Sequence, residues 1–293
     1  MPMTDARQKW NIKEILDYSE DYLKSKGIES PRVEAEWLLS HALGNRRIDL
    51  YLQFDRLLSS SESTHFKSLL KERLDHKPLQ YITGETEFMG FSLLVDENVL
   101  IPRPETEQLV EKAIELLQNV NTAPLKVLDV GTGSGNIAIA IAKFLPSVEV
   151  TAIDISEAAI KIAKENAEKN GVSDSIKLLV YDFNSDGFPD EKYDMVISNP
   201  PYISMSDMNN LQDEVKKWEP EAALTDYSDG IKMIEKVINL AANSIQKGGY
   251  ILIEIGGNEQ KKRVQKLLLN AGFLNVSVES DYNSHARFAF AER

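Results

Sequence analysis

Apolar residues recur at helical spacing through the first quarter of the chain. Ile12, Ile15, Leu16 and Leu23 form one such row; Val33, Ala35, Trp37, Leu38 and Leu39 form a second behind Ser30-Pro31, an N-cap and first-turn pair. Further helical segments are expected around 48–54 and over 61–74, which completes a small helical bundle at residues 1–78. From Leu79 to Val95 the pattern changes to short runs with Thr, Tyr, Phe and Val, broken by Gly84 and Gly90, and predicts a β-hairpin. Pro102 and Pro104 end an extended piece and Pro104-Glu105 opens a helix, so residues 79–103 read as a linker and 104–293 as a second domain.

After Pro124 apolar runs and amphipathic segments alternate. Strands are predicted at 125–130, 148–154, 176–182, 193–198 and 248–256, with helices at 136–144, 157–170, 230–245 and 259–270 between them. Two more strands follow near 274–278 and 287–291. Continuous apolar strands separated by helices mean an α/β fold, a parallel sheet covered on both faces. The last two strands have no helix between them, so the final one is expected to run antiparallel.

Composition narrows the function classes. With 293 residues, 42% of them hydrophobic, two domains with a sizeable core are expected. No cysteine is present, which excludes disulfides, thiolate catalysis and Cys-ligated metal centres. No metal is expected. The N-terminus lacks the pattern of a secretory signal and no apolar run approaches the roughly 20 residues of a membrane span, so the expected location is cytoplasmic, with no membrane partner. The net charge is −13, of which −2 falls before residue 91 and −11 after it. A surface this acidic repels free nucleic acid and favours partners with basic surfaces.

Two motifs carry candidate chemistry. "LDVGTGSGN" follows the first strand of the α/β region and opens a helix, the place where such sheets bind ligands. Its spacing is not that of a dinucleotide fingerprint, because Asn136 stands where the last glycine would be. Asp129, just before the loop, would repel a pyrophosphate and suit an ammonium group. Asp154 ends the second strand, 19 residues after Gly135, a position that commonly takes ribose hydroxyls; Asp182 and Phe183 close the third and suit an adenine edge and face. Ribose, adenine and an amino-acid moiety together describe S-adenosylmethionine. The plainer reading makes the glycines turn residues and the strand-end acids N-caps; three strand ends in register weigh against it.

The second motif is Asn199-Pro200-Pro201-Tyr202, which closes the fourth strand. Prolines stiffen a backbone and remove its N–H groups, leaving carbonyl acceptors without competing donors. Asn199 adds a side-chain acceptor and Tyr202 a flat face. Such a site takes both hydrogens of a planar –NH₂ and needs no strong base, in keeping with histidines only at 41, 65, 76 and 285. Loop punctuation is the bland alternative.

With VLDVGTGSG, AID and ISNPPY in this order, together with LIPRPETE and a helical N-terminus, the whole chain resembles the release-factor glutamine N5-methyltransferase family, the HemK/PrmC type. The resemblance implies a Rossmann-like class I methyltransferase domain with a seven-stranded sheet, a helical bundle and a hairpin linker. It implies methyl transfer from S-adenosylmethionine to the Gly-Gly-Gln glutamine of peptide chain release factors. Carried over by position, Gly131, Thr132, Gly133, Ser134, Gly135, Asp154, Asp182, Phe183 and Asn199 would hold the cofactor, with Arg103, Glu105 and Thr106 at its mouth. Asn199 and Pro200 would be catalytic and, with Pro201, Tyr202 and Phe88, would seat the glutamine. The bundle is expected to dock the release factor, and the protein to act as a monomer. Rival readings are a glutamine methyltransferase of a ribosomal protein, an adenine N6-methyltransferase, which would need a basic channel, and a module that binds cofactor without chemistry.

Overall fold

A computed structural model describes residues 10–120, 124–182 and 191–293. The chain divides into two compact units between Gly84 and Glu85.

The first unit is helical: α1 (Ile12–Ser25), α2 (Pro31–Leu43), α3 (Arg47–Tyr51), α4 (Ser60–Leu74) and α5 (Leu79–Thr83). Asn11 and Glu14 form a reciprocal capping box at the start of α1, and Ser59 and Glu62 do the same for α4, so orphan N–H groups at both starts are satisfied. Ser30 precedes α2 as expected, but its side chain makes no capping bond. Ile12, Ile15, Leu16, Leu38, Leu39, Phe66 and Leu70 fill the core. Val33 and Trp37 do not join it; both are exposed, because only Ala35, Leu38 and Leu39 keep the i, i+3, i+4 spacing, and Trp37 instead carries the Arg47 guanidinium over its ring.

The predicted hairpin is shorter than expected. Leu79–Thr83 is helix α5, ended by Gly84 in the left-handed region, and Ile82 packs into the helical core. The turn signal at Gly84 was therefore a helix stop.

The second unit opens with the hairpin β1 (Glu85–Phe88) and β2 (Phe91–Leu94), joined by Met89-Gly90, both at positive φ. There follow α6 (Pro104–Gln118), β3 (Leu125–Val130), α7 (Asn136–Phe144), β4 (Val148–Asp154), α8 (Glu157–Lys169), β5 (Ile176–Val180) and β6 (Tyr193–Ser198). Next come the short α9 (Asp213–Trp218) and α10 (Glu221–Leu224), then α11 (Lys232–Ser244), β7 (Ile245–Glu254), α12 (Asn258–Asn270), β8 (Leu274–Ser280) and β9 (Ala286–Glu292). Within the described residues seven strands form one sheet, in the order β5-β4-β3-β6-β7-β9-β8. β3 to β7 pair in parallel and β9 runs antiparallel between β7 and β8, as the missing helix implied. Alternate side chains serve opposite faces: Val127, Met195, Ile197 and Leu252 pack with α6 and α7, whereas Leu128, Val196, Ile251 and Ile253 pack with α11 and α12. Burial on both faces explains the uninterrupted apolar strands.

Asn166 of α8 fastens the hairpin to the sheet. Its carboxamide accepts from Leu94 N at 2.6 Å and donates to the carbonyls of Leu94 and Ser134, both at 2.9 Å.

Candidate active site

Strand register brings the motifs together. Val130 pairs with Ile153 of β4 and Ser198 of β6, and Ser198 pairs with Ile253 of β7. The next residues, Gly131, Asp154, Asn199 and Glu254, therefore leave one edge of the sheet in a row. Strand order reverses between β3 and β6, the position where open α/β sheets form a crevice. A cavity of about 310 Å³ lies there.

The glycine loop forms its floor. The amides of Gly131 and Thr132 donate to Ile153 O at 2.8 and 3.0 Å, which bends the chain across the end of β4. Gly131, Thr132, Gly133 and Ser134 line the cavity. A side chain on Gly133 (φ 54°) would project into open space, whereas one on Gly135 (φ 82°) would meet Ala163 and Ile139 at 3.1 Å. Gly135 thus serves the packing of α7 against α8 and does not line the cavity. Asp129 does not reach the cavity either. It is fully buried, accepts from the Thr132 hydroxyl at 2.6 Å, and is pushed up to about 7 chiefly by burial.

Asp154 lines the cavity and ties the loop in place: one carboxylate oxygen accepts from Gly133 N and the other from Ser156 N, each at 2.9 Å. Burial raises its pKa against these bonds. Ile155, next along, is 59% exposed and contributes an apolar wall. Asp182 lines the far side, although β5 ends two residues earlier, at Val180. Phe183 lies outside the described residues.

Asn199, Pro200 and Pro201 line the cavity beside the loop. Asn199 Nδ2 donates to Thr106 Oγ1 at 3.1 Å, and Thr106 Oγ1 donates to Glu254 Oε2 at 2.8 Å. Among the described residues no donor bonds Asn199 Oδ1 or the Pro200 carbonyl. Tyr202 is drawn away from the cavity: its hydroxyl donates to Glu254 Oε1 at 3.1 Å, and burial followed by the Glu254 charge raises its pKa. Glu254 is 1% exposed and burial pushes it up to about 7.

At the mouth, Arg103 lines the cavity and pairs with the buried carboxylate of Glu219. Thr106 is a lining residue, but Glu105 is not. Phe88 is buried in the core, edge-on to Phe91 with ring centroids 6.0 Å apart, and takes no part in the cavity wall. Sequence reasoning missed Leu100, Pro102, Ile155 and Glu254. Ile155 was findable as an apolar residue directly after a strand-end acid; Glu254, at the tip of an apolar strand, carried the same signal as Asp154.

The residues 14–84 match the model of the PrmC N-terminal domain, and 121–277 that of a methyltransferase domain. A release factor glutamine methyltransferase of Rhodopirellula baltica is 40% identical over 291 residues, covering 98% of both chains, and one of Geobacter sulfurreducens is 38% identical over 284 residues, covering 96% of both. The chain belongs to the release factor glutamine methyltransferase family. Among solved structures, the hMettl16 catalytic domain in complex with MAT2A 3'UTR hairpin 1 shares the fold, with a TM-score of 0.54 and 17% identity over 79% of each chain.

The family and the class I fold imply S-adenosylmethionine as methyl donor. The cavity suits it. Its charged lining is Glu97, Asp154, Asp182 and Arg103, three acids to one base, which disfavours a pyrophosphate and favours a ligand carrying sulfonium and ammonium charges. Gly133 leaves room for close backbone approach, and Ile155 offers an apolar face. None of the described helices is long and apolar enough to cross a membrane.

Proposed function

We propose that this chain methylates the side-chain amide nitrogen of the glutamine in the Gly-Gly-Gln loop of peptide chain release factors. The observation that carries the reading is the pair of unpartnered acceptors, Asn199 Oδ1 and the Pro200 carbonyl, at the strand end adjoining the glycine-loop cavity. The names of the relatives at 38–40% identity point to the same substrate.

When bound, S-adenosylmethionine supplies an electrophilic methyl group. Asp154 would take its ribose, Ile155 its adenine face, Asp182 the adenine edge, and the Gly131–Ser134 backbone with Arg103 its amino-acid end. A carboxamide nitrogen is a poor nucleophile because its lone pair is delocalised. Two acceptors that hold both N–H bonds orient that lone pair and raise its electron density, a contribution of roughly 10²–10³ in rate for a lost hydrogen-bonding group of this kind. The rigid prolines keep the acceptors in place before the substrate arrives. No side chain need accept the proton before transfer.

The acidic surface and the cytoplasmic setting of translation fit a basic protein substrate that this chain meets as a monomer, without binding free nucleic acid. Incubation with S-adenosylmethionine and a purified release factor should add one methyl, localised by mass spectrometry to the Gly-Gly-Gln glutamine. Methylation of a ribosomal protein instead, or of neither, would overturn the reading.

A further inference from the structure

Asn199 is useful to an amide substrate only one way round: with its oxygen toward the cavity it accepts, and rotated by half a turn it would present an NH₂ group to the substrate's own NH₂. The two orientations have nearly the same shape, so packing alone does not choose between them; the hydrogen-bond network does. The choice is made by the chain of bonds that runs from Asn199 through Thr106 to Glu254.

We propose that Thr106 and Glu254 are positioning residues that fix the polarity of the Asn199 carboxamide, so that the substrate meets its oxygen. The inference takes its substrate from the proposed function above, but its chemistry stands on three bonds. A carboxylate has no hydrogen to give, so both partners of Glu254 must donate to it: Thr106 Oγ1 to Oε2 at 2.8 Å, and the Tyr202 hydroxyl to Oε1 at 3.1 Å. The Thr106 hydroxyl has one hydrogen and spends it there. Toward Asn199 it can only accept, which requires Nδ2 to face it, at 3.1 Å, and leaves Oδ1 for the cavity. Thr106 is 1% exposed and Glu254 1%, so water does not compete for the link between them. Glu254 is held in this row by register, one residue beyond the Ile253–Ser198 pair.

A protonated Glu254 would reverse the logic. Its own hydrogen could go to Thr106, freeing the threonine hydrogen for Asn199 Oδ1 and releasing the carboxamide to turn. The groups that bear on this equilibrium are Thr106 and Tyr202 by hydrogen bond, Arg287 by its positive charge and Glu105 by its negative charge, with burial the largest influence. Burial places the change near pH 7, so the network would lose its direction on the acid side of neutrality.

The test needs no substrate. In the full chain carrying ¹⁵N-labelled asparagine, the Asn199 side-chain resonances, assigned by their absence in Asn199→Asp, should shift with a midpoint near pH 7. The shift should vanish in Glu254→Gln, persist in Thr106→Ser and vanish in Thr106→Val. A resonance pair that ignores pH in the native chain, or that responds to pH equally in Glu254→Gln, would overturn the inference, and the native titration decides even where a variant does not fold. With release factor as substrate, Glu254→Gln and Thr106→Val should lower kcat about 10- to 100-fold, with the dissociation constant for S-adenosylmethionine within roughly threefold of native, and Thr106→Ser should restore most of the rate. A fall in cofactor affinity as large as that in kcat would make the network merely structural. A native chain that leaves release factor unmethylated would defeat the proposed function alone, because the resonances still decide the polarity.

Discussion

Gly133 and Asp154 stand 21 residues apart, and the amide of one donates to the carboxylate of the other at 2.9 Å. The second carboxylate oxygen is engaged in the same way by Ser156 N at 2.9 Å. Both oxygens must therefore accept. Asp154→Asn is isosteric yet turns an NH₂ toward one of two backbone donors, an unpaired clash worth roughly 1–3 kcal/mol. We expect it to weaken S-adenosylmethionine binding about 10- to 100-fold by calorimetry, with Asp154→Glu no better because the loop bond is lost.

The two glycines that differ in surroundings should differ in what they cost. Gly135→Ala places a side chain at φ 82° and 3.1 Å from Ala163 and Ile139, so backbone strain of about 1–2 kcal/mol adds to overpacking of roughly 1–3 kcal/mol. Urea denaturation should show the loss. Gly133→Ala carries the same left-handed strain at φ 54° but meets no such contacts, so its loss of stability should be the smaller of the two, and weaker cofactor binding should accompany it because its methyl enters the cavity. The reverse pattern would refute the division between packing and cavity roles.

Asn199→Ala removes one acceptor from the substrate side without touching the glycine loop. Turnover should fall roughly 10²–10³-fold in single-turnover assays, while cofactor affinity changes less than about threefold. Equal losses in both would mean that Asn199 holds the fold of the strand end.

Asp129 makes stability depend on pH in an unusual direction. Its folded pKa, about 7, lies above the value of roughly 4 in an unfolded chain. Its contribution is therefore complete below about pH 4 and is lost as pH rises through 7, a change of a few kcal/mol at most between those limits. Glu36 of the helical unit works oppositely: burial raises it, but Tyr51, Arg32 and Arg47 together bring it below the ordinary value, so its contribution exists above that value and fades in acid. Hydrogen exchange of the β3 amides at pH 5 and pH 8 should show greater protection at pH 5 relative to Asp129→Asn, in which that difference should shrink.

Periodicity revealed the sheet because β3, β4 and β6 are nearly continuous apolar runs buried on both faces, set between segments that keep a helical spacing. It misplaced Leu79–Thr83, where β-favouring Tyr81, Ile82 and Thr83 form a helical turn because Ile82 is captured by the core of the first unit. In the site, Gly131, Gly133, Asp154, Asn199 and the two prolines were readable since each sits next to a strand end whose position the apolar run fixes. Phe88 and Gly135 lie outside the cavity lining for a shared reason: each packs against elements distant in sequence, the α6–α7 core in one case and α8 in the other. Glu254 ends an apolar strand as Asp154 does, but its bonds to Thr106 and Tyr202 arise only when β7 lies beside β6, so its part in the site was not legible.

Because β6 is bracketed by β3 and β7, the turn at Asn199 inherits the rigidity of the most enclosed part of the molecule. The segment 204–224, which holds α9 and α10, contributes no strand to the sheet. Grafting that stretch from a relative with a different protein target should therefore redirect which macromolecule is accepted while leaving the methylating apparatus intact.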